Sequence, residues 1–80
     1  MIRERLKSER AKRVWTQNEV ANKLNISAIS VRSYENGKRN PSPEIIGKFV
    51  ELYHVEAEKL FPDIFLLFNG TKGITKEMTK

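Results

Sequence analysis

Thr16-Gln17-Asn18-Glu19 constrains this chain more tightly than any other stretch. It has the form of a capping box, in which Thr16 and Glu19 satisfy each other's terminal N–H groups and a helix must begin. Trp15 just before it and Val20 just after it are placed for a hydrophobic staple. The helix runs to about Leu24 with Val20, Ala21 and Leu24 inward, and Asn25 breaks it, because Asn tolerates the left-handed conformation of a tight turn. Ser27 caps a third helix, which ends at Asn36-Gly37 with Gly37 as the left-handed closing residue. Ser42 caps a fourth, with Pro43 at the first helical position, where a missing N–H costs nothing. The expected fold class is all-α.

Periodicity supplies the faces. Residues 2–13 form a charged first helix with a sparse inward stripe at Ile2, Leu6, Arg10 and Arg13 or Val14. Arg10 on that stripe needs a carboxylate partner inside the fold. In the third helix Val31, Tyr34 and Glu35 face inward, while Ala28, Ile29, Arg32, Ser33 and Asn36 share the opposite face. That outer face is short-chained and carries one long charged residue, whereas a purely solvated face would carry more Glu and Lys. Ile45, Ile46, Phe49, Leu52 and Tyr53 make a wide core stripe on the fourth helix. His54 follows as a helix-end residue that tolerates positive φ. Val55 to Phe61 read as a short fifth helix, with Val55, Leu60 and Phe61 inward and Pro62 closing it.

Charge narrows the function. Lys+Arg 15 against Asp+Glu 10 gives a net charge of +5 over 80 residues. Residues 1–40 hold ten Lys/Arg and four Asp/Glu, and residues 41–80 hold five and six. A basic half beside a near-neutral half points to a polyanion on one face. With no cysteine and one histidine, thiolate sites are excluded and zinc would need several carboxylates. No acid–base or nucleophile constellation is present, so the expectation is a non-enzyme that needs no cofactor and no metal. No apolar run approaches the roughly 20 residues that span a bilayer, and Met1 to Arg5 lacks the apolar stretch of a secretory signal. The expected setting is soluble and cytoplasmic, without a membrane partner.

Two helices joined by a short turn, the second with a small-residue outer face, follow the helix-turn-helix plan. The chain resembles the Xre/Cro phage-repressor-like helix-turn-helix family in Leu6, Arg10, Thr16-Gln17, Val20-Ala21, Leu24, Ile26-Ser27, Val31, Tyr34-Glu35-Asn36-Gly37, Arg39, Pro41-Ser42 and Val55…Leu60-Phe61. The resemblance covers residues 2–61 and implies a compact five-helix DNA-binding domain. It places Gln17 on a phosphate at the start of the second helix, in keeping with helix-dipole physics. It puts the third helix in the major groove with Ala28, Ile29, Arg32 and Ser33 at base-reading positions and Ser30 close by. It lays Asn36, Lys38, Arg39 and Asn40 along the DNA backbone. It also makes Arg10 and Glu35 a structural ion pair.

Three departures from the family pattern stand out. Val14 replaces the glycine that many relatives have, so the corner between the first two helices must turn without one. Glu9 replaces an apolar residue, which suggests a more exposed or locally rewired first helix. Ala28 and Ile29 replace residues such as Gln or Arg, and they offer only van der Waals contact, best to a thymine methyl. Arg32 is the one side chain able to fork onto guanine.

Beyond the resemblance, Ile64-Phe65-Leu66-Leu67-Phe68 is a run of five apolar residues following an already filled core. It is expected to form a subunit interface, with folding back onto the core as the other reading. The expected organisation is a DNA-binding domain over 1–61 and a dimerisation segment with a polar tail over 62–80. The expected function is that of a Cro-like repressor, binding a palindromic operator in double-stranded DNA as a homodimer. The sequence leaves open a second class, an antitoxin or other interaction module that takes a protein partner through its C-terminal segment and binds DNA to regulate itself.

Overall fold

The computed structural model describes residues 2–65. Five helices follow in order, α1 (Glu4–Lys12), α2 (Gln17–Leu24), α3 (Ala28–Glu35), α4 (Pro43–Tyr53) and α5 (Ala57–Leu60). A further helical turn occupies residues 62–65. Among the described residues there is no strand, as the all-α expectation requires. No helix among them is long and apolar enough to cross a membrane.

The starts are built by side-chain caps. Thr16 Oγ1 accepts the Glu19 N–H at 3.0 Å, and the Thr16 N–H donates to Glu19 Oε1 at 2.7 Å, completing the capping box. Ser27 Oγ accepts the Ser30 N–H and Ser42 Oγ accepts the Ile45 N–H in the same manner. The stops share a second device. Val14, Asn25, Gly37 and His54 all take positive φ, at 58°, 60°, 76° and 56°. After α1, α2 and α3 the residue beyond the left-handed one reaches back five positions, with Trp15 N–H on Arg10 O, Ile26 N–H on Ala21 O and Lys38 N–H on Ser33 O. This pattern satisfies carbonyls that a helix end otherwise leaves orphaned. At the first corner a valine occupies the position that glycine fills most easily, and it stands 85% exposed.

Leu6, Val20, Ala21, Leu24, Val31, Tyr34, Phe49, Tyr53, Leu60 and Phe61 form one buried core. Phe49 is its centre, edge-on to Tyr34 and Phe61 with ring centroids 6.2 and 5.7 Å away. The expected first-helix stripe needs correction at its start. Ile2 is 47% exposed and Arg3 is buried instead. The reason is that α1 begins at Glu4, so Arg3 has non-helical backbone and the helical phase does not reach Ile2. At the far end Arg13 is half-buried and Val14 points out. The fifth helix is also shorter than expected, because residues 55, 56 and 61 are not helical, and Pro62 opens the next helical turn.

Of the two alternatives for Glu9, a more exposed or a locally rewired first helix, the structure shows the second, since Glu9 is buried. Its carboxylate accepts from Arg5 Nε at 2.7 Å and Arg13 Nη1 at 2.8 Å, with Lys12 Nζ at 3.3 Å. Arg13, then Arg5, hold its pKa down at about 2, against the cost of burial. Arg13 also donates to Tyr53 O at the end of α4 and lies over the Trp15 and Tyr53 rings. Glu9 therefore orders the arginine that joins α1 to α4.

Candidate nucleic-acid interface

The N-terminus of α2 and the outer face of α3 meet in an open groove lined by Thr16, Gln17, Asn18, Ala28, Ile29 and Arg32. An α-helix leaves its first four N–H groups without intrahelical partners. The capping box takes those of Thr16 and Glu19. Those of Gln17 and Asn18 remain at the positive end of the helix dipole, where an anion is favoured.

Beneath this groove lies the Arg10–Glu35 pair. Glu35 is fully buried and accepts Arg10 Nε at 2.7 Å and Nη2 at 3.1 Å. Arg10 also donates to Trp15 O, so one guanidinium ties α1, the first corner and α3 together. Glu35 Oε1 takes a further bond from Gln17 Nε2 at 3.1 Å. The carboxylate thus fixes the amide of Gln17, and with it the register of α2 against α3.

The base-reading candidates divide in two. Ile29 is 64% exposed, Arg32 is exposed, and both line the groove together with half-buried Ala28. Among the described residues no carboxylate lies within 4 Å of the Arg32 guanidinium, which leaves its five donors for a ligand. Ser30 and Ser33 are half-buried and outside the groove lining. The Ser30 hydroxyl accepts from Ser27 Oγ in the α3 cap, and the Ser33 carbonyl accepts the N–H groups of Lys38 and Arg39.

The turn after α3 carries the remaining expected contacts. Asn36 and Gly37 are half-buried, while Lys38, Arg39 and Asn40 are exposed. The Arg39 guanidinium lies over the Tyr34 ring at 5.4 Å, and Asn40 Oδ1 accepts from Arg3 Nη2 at 2.6 Å. Arg3 and its partner Asp63, 2.9 Å away, were not singled out from the sequence. Sixty residues separate them, and no local pattern marks such a pair.

The C-terminal run lies at the edge of the described residues. Ile64 and Phe65 pack half-buried against the core and, with Pro41, Pro43 and Ile46, line an apolar cleft of about 400 Å³. Their N–H groups both donate to Phe61 O, so the packing continues past residue 61. Leu66, Leu67 and Phe68, and the tail to residue 80, lie outside the described residues.

Comparison with known proteins agrees with this architecture. The helix-turn-helix family profile matches residues 6–60. The HTH-type transcriptional regulator ImmR of Bacillus subtilis (strain 168) is 39% identical over 56 residues, covering 70% of this chain and 44% of that protein. The chain thus spans less than half the length of this curated relative. No solved structure matches. A match over most of the chain, on a fold whose α2 and α3 are joined by a tight left-handed turn at Asn25, places this protein in the Xre-like helix-turn-helix family.

Proposed function

We propose that this domain binds duplex DNA in a sequence-dependent manner and acts as a transcriptional regulator, with α3 in the major groove. The observation that carries this reading is the groove where the α2 N-terminus and Gln17 stand beside Ala28, Ile29 and Arg32. One side supplies donors for a phosphate and the other supplies side chains for base edges, the two kinds of contact a DNA reader must combine. Arg32 would discriminate guanine through O6 and N7, and Ile29 and Ala28 would meet a thymine methyl. Lys38, Arg39 and Asn40 would follow the backbone. The relative ImmR, by its name a transcriptional regulator, supports the same reading.

A single α3 reads too few base pairs to single out one operator. The functional unit is therefore a two-fold homodimer on a palindromic site, with recognition helices about 34–36 Å apart. The apolar cleft lined by Ile64 and Phe65, the first two residues of the apolar run Ile64–Phe68, is the surface that supports this reading. The same surface favours a second reading, in which a protein partner docks there and DNA binding is autoregulatory.

Salt dependence tests the proposal. A dimer that neutralises roughly 6–10 phosphates loses about a thousand- to a hundred-thousand-fold in affinity between 50 and 200 mM salt. Affinity that does not change with salt, or no duplex binding at low salt, refutes the reading.

A further inference from the structure

Arg3 is the most completely satisfied cation among the described residues. A guanidinium has five N–H donors, and here each finds an acceptor. Nε and Nη2 fork onto Asp63 Oδ1 and Oδ2 at 3.0 and 2.9 Å. Nη1 donates to the carbonyls of Tyr34 and Arg39 at 2.7 and 2.9 Å, and Nη2 also donates to Asn40 Oδ1 at 2.6 Å. The side chain is 1% exposed and its head lies 5.4 Å from the Phe61 ring centre. Its backbone N–H donates to Glu35 O at 2.8 Å. One buried side chain thus joins the N-terminus, the last turn of α3, the loop that follows it and the C-terminal segment.

The geometry points to Arg3 as a positioning residue that presents Asn40, and with it the exposed turn of Lys38, Arg39 and Asn40, to the DNA backbone. A guanidinium cannot accept a hydrogen bond, so the Asn40 atom facing it is necessarily oxygen. Among the described residues the amide nitrogen makes no hydrogen bond, and Asn40 is exposed. Arg3 therefore sets the polarity of this side chain: it hides the acceptor, which a phosphate would repel, and turns out the donors, which a phosphate requires. Holding the Arg39 carbonyl at the same time fixes the backbone on which both contacts ride. A contact oriented before binding loses less entropy when it forms, which raises affinity without a new interaction. Asp63 stands behind Arg3, so the C-terminal segment contributes to the shape of the DNA-facing turn.

This inference rests on the DNA-binding reading above and deepens it. The test is a double-mutant cycle on duplex affinity at fixed salt, with the full chain and with folding followed by circular dichroism. Asn40→Ala should weaken wild-type binding by about tenfold, the value of one hydrogen bond to a charged group. In an Arg3→Lys background, which keeps the charge but cannot make the five bonds, the same change should cost less than about twofold. Arg32→Ala should cost the same factor in both backgrounds. Asp63→Asn, which weakens the fork while leaving Arg3 in place, should shift the cycle in the same direction if Arg3→Lys does not fold. An Asn40→Ala penalty that is equal in all backgrounds, or absent in the wild type, overturns the role of Arg3 while leaving the DNA-binding reading intact. A wild-type chain that does not bind duplex overturns both.

Discussion

Replacing Glu9 by glutamine removes one charge from a buried site and leaves three cations facing it. The three partners differ in exposure, and that sets the size of the effect. Arg13 is the most enclosed, at 28%, and its bond to Glu9 contributes about 1.5 kcal/mol, the low end for a charged hydrogen bond. Arg5 and Lys12 are 43% and 63% exposed, so each pair contributes about 0.5 kcal/mol or less. The expected loss at pH 7 is about 2 kcal/mol, or roughly 8–16 °C in melting temperature for a domain of this size. Glu9→Leu should be much milder, because burying the leucine side chain returns about 1.5–3 kcal/mol and the cations can turn to water. Acid provides the control. The carboxyl titrates at about 2 in the fold against 4.5 ordinarily, so its contribution is fully present above pH 4.5 and drains away as pH falls toward 2. Urea denaturation followed by Trp15 fluorescence, at pH 7 and at about pH 2.5, should show a gap between wild type and Glu9→Gln that narrows in acid. Equal stability at pH 7, or a gap that acid leaves unchanged, refutes the assignment of Glu9 as a buried charged node.

Two further substitutions should stabilise the domain. Val14→Gly removes a β-branched residue from positive φ at an exposed corner, where a left-handed conformation costs roughly 1–2 kcal/mol. After the entropy cost of glycine, a net gain of about 0.5–1 kcal/mol should appear in thermal melts; a loss would mean that the Val14 side chain holds the corner. Among the described residues the buried Tyr53 hydroxyl has no hydrogen-bond partner, and burial is the main cause of a phenol pKa pushed up to about 12. Tyr53→Phe should therefore raise stability by about 1 kcal/mol in the same assay, and a clear destabilisation would show that the hydroxyl is bonded.

What could be read from the residues was local. Thr16, Ser27 and Ser42 announce helix starts because the cap lies within three residues of its acceptor or donor. Asn25, Gly37 and His54 announce stops because their left-handed backbone is a property of single residues. Arg10 revealed its need for a carboxylate through its place on an inward stripe, and family resemblance named Glu35. Arg3 was hidden for a physical reason: periodicity describes a helix, and Arg3 sits just before one. For Glu9 the sequence left exposure and local rewiring both open, although Arg5, Lys12 and Arg13 lie at helical spacing around it and make the rewiring. Of the site, the shared outer face of Ala28, Ile29 and Arg32 was legible from helical spacing, and the resemblance supplied Gln17, which lines the same groove. The engagement of the Ser30 hydroxyl by Ser27 was not, since it depends on which hydroxyl the cap engages.

The central claim is that the outer face of α3 reads base pairs. It is tested most directly by selecting bound sites from random duplex DNA with the wild-type chain and with Arg32→Ala and Gln17→Ala. The account predicts an enriched two-fold motif for the wild type. Arg32→Ala should lose preference at one symmetry-related position, at about 1–3 kcal/mol. Gln17→Ala should weaken binding while keeping the motif, because a phosphate contact carries no base information. No enriched motif, or the same motif from Arg32→Ala as from the wild type, would contradict it.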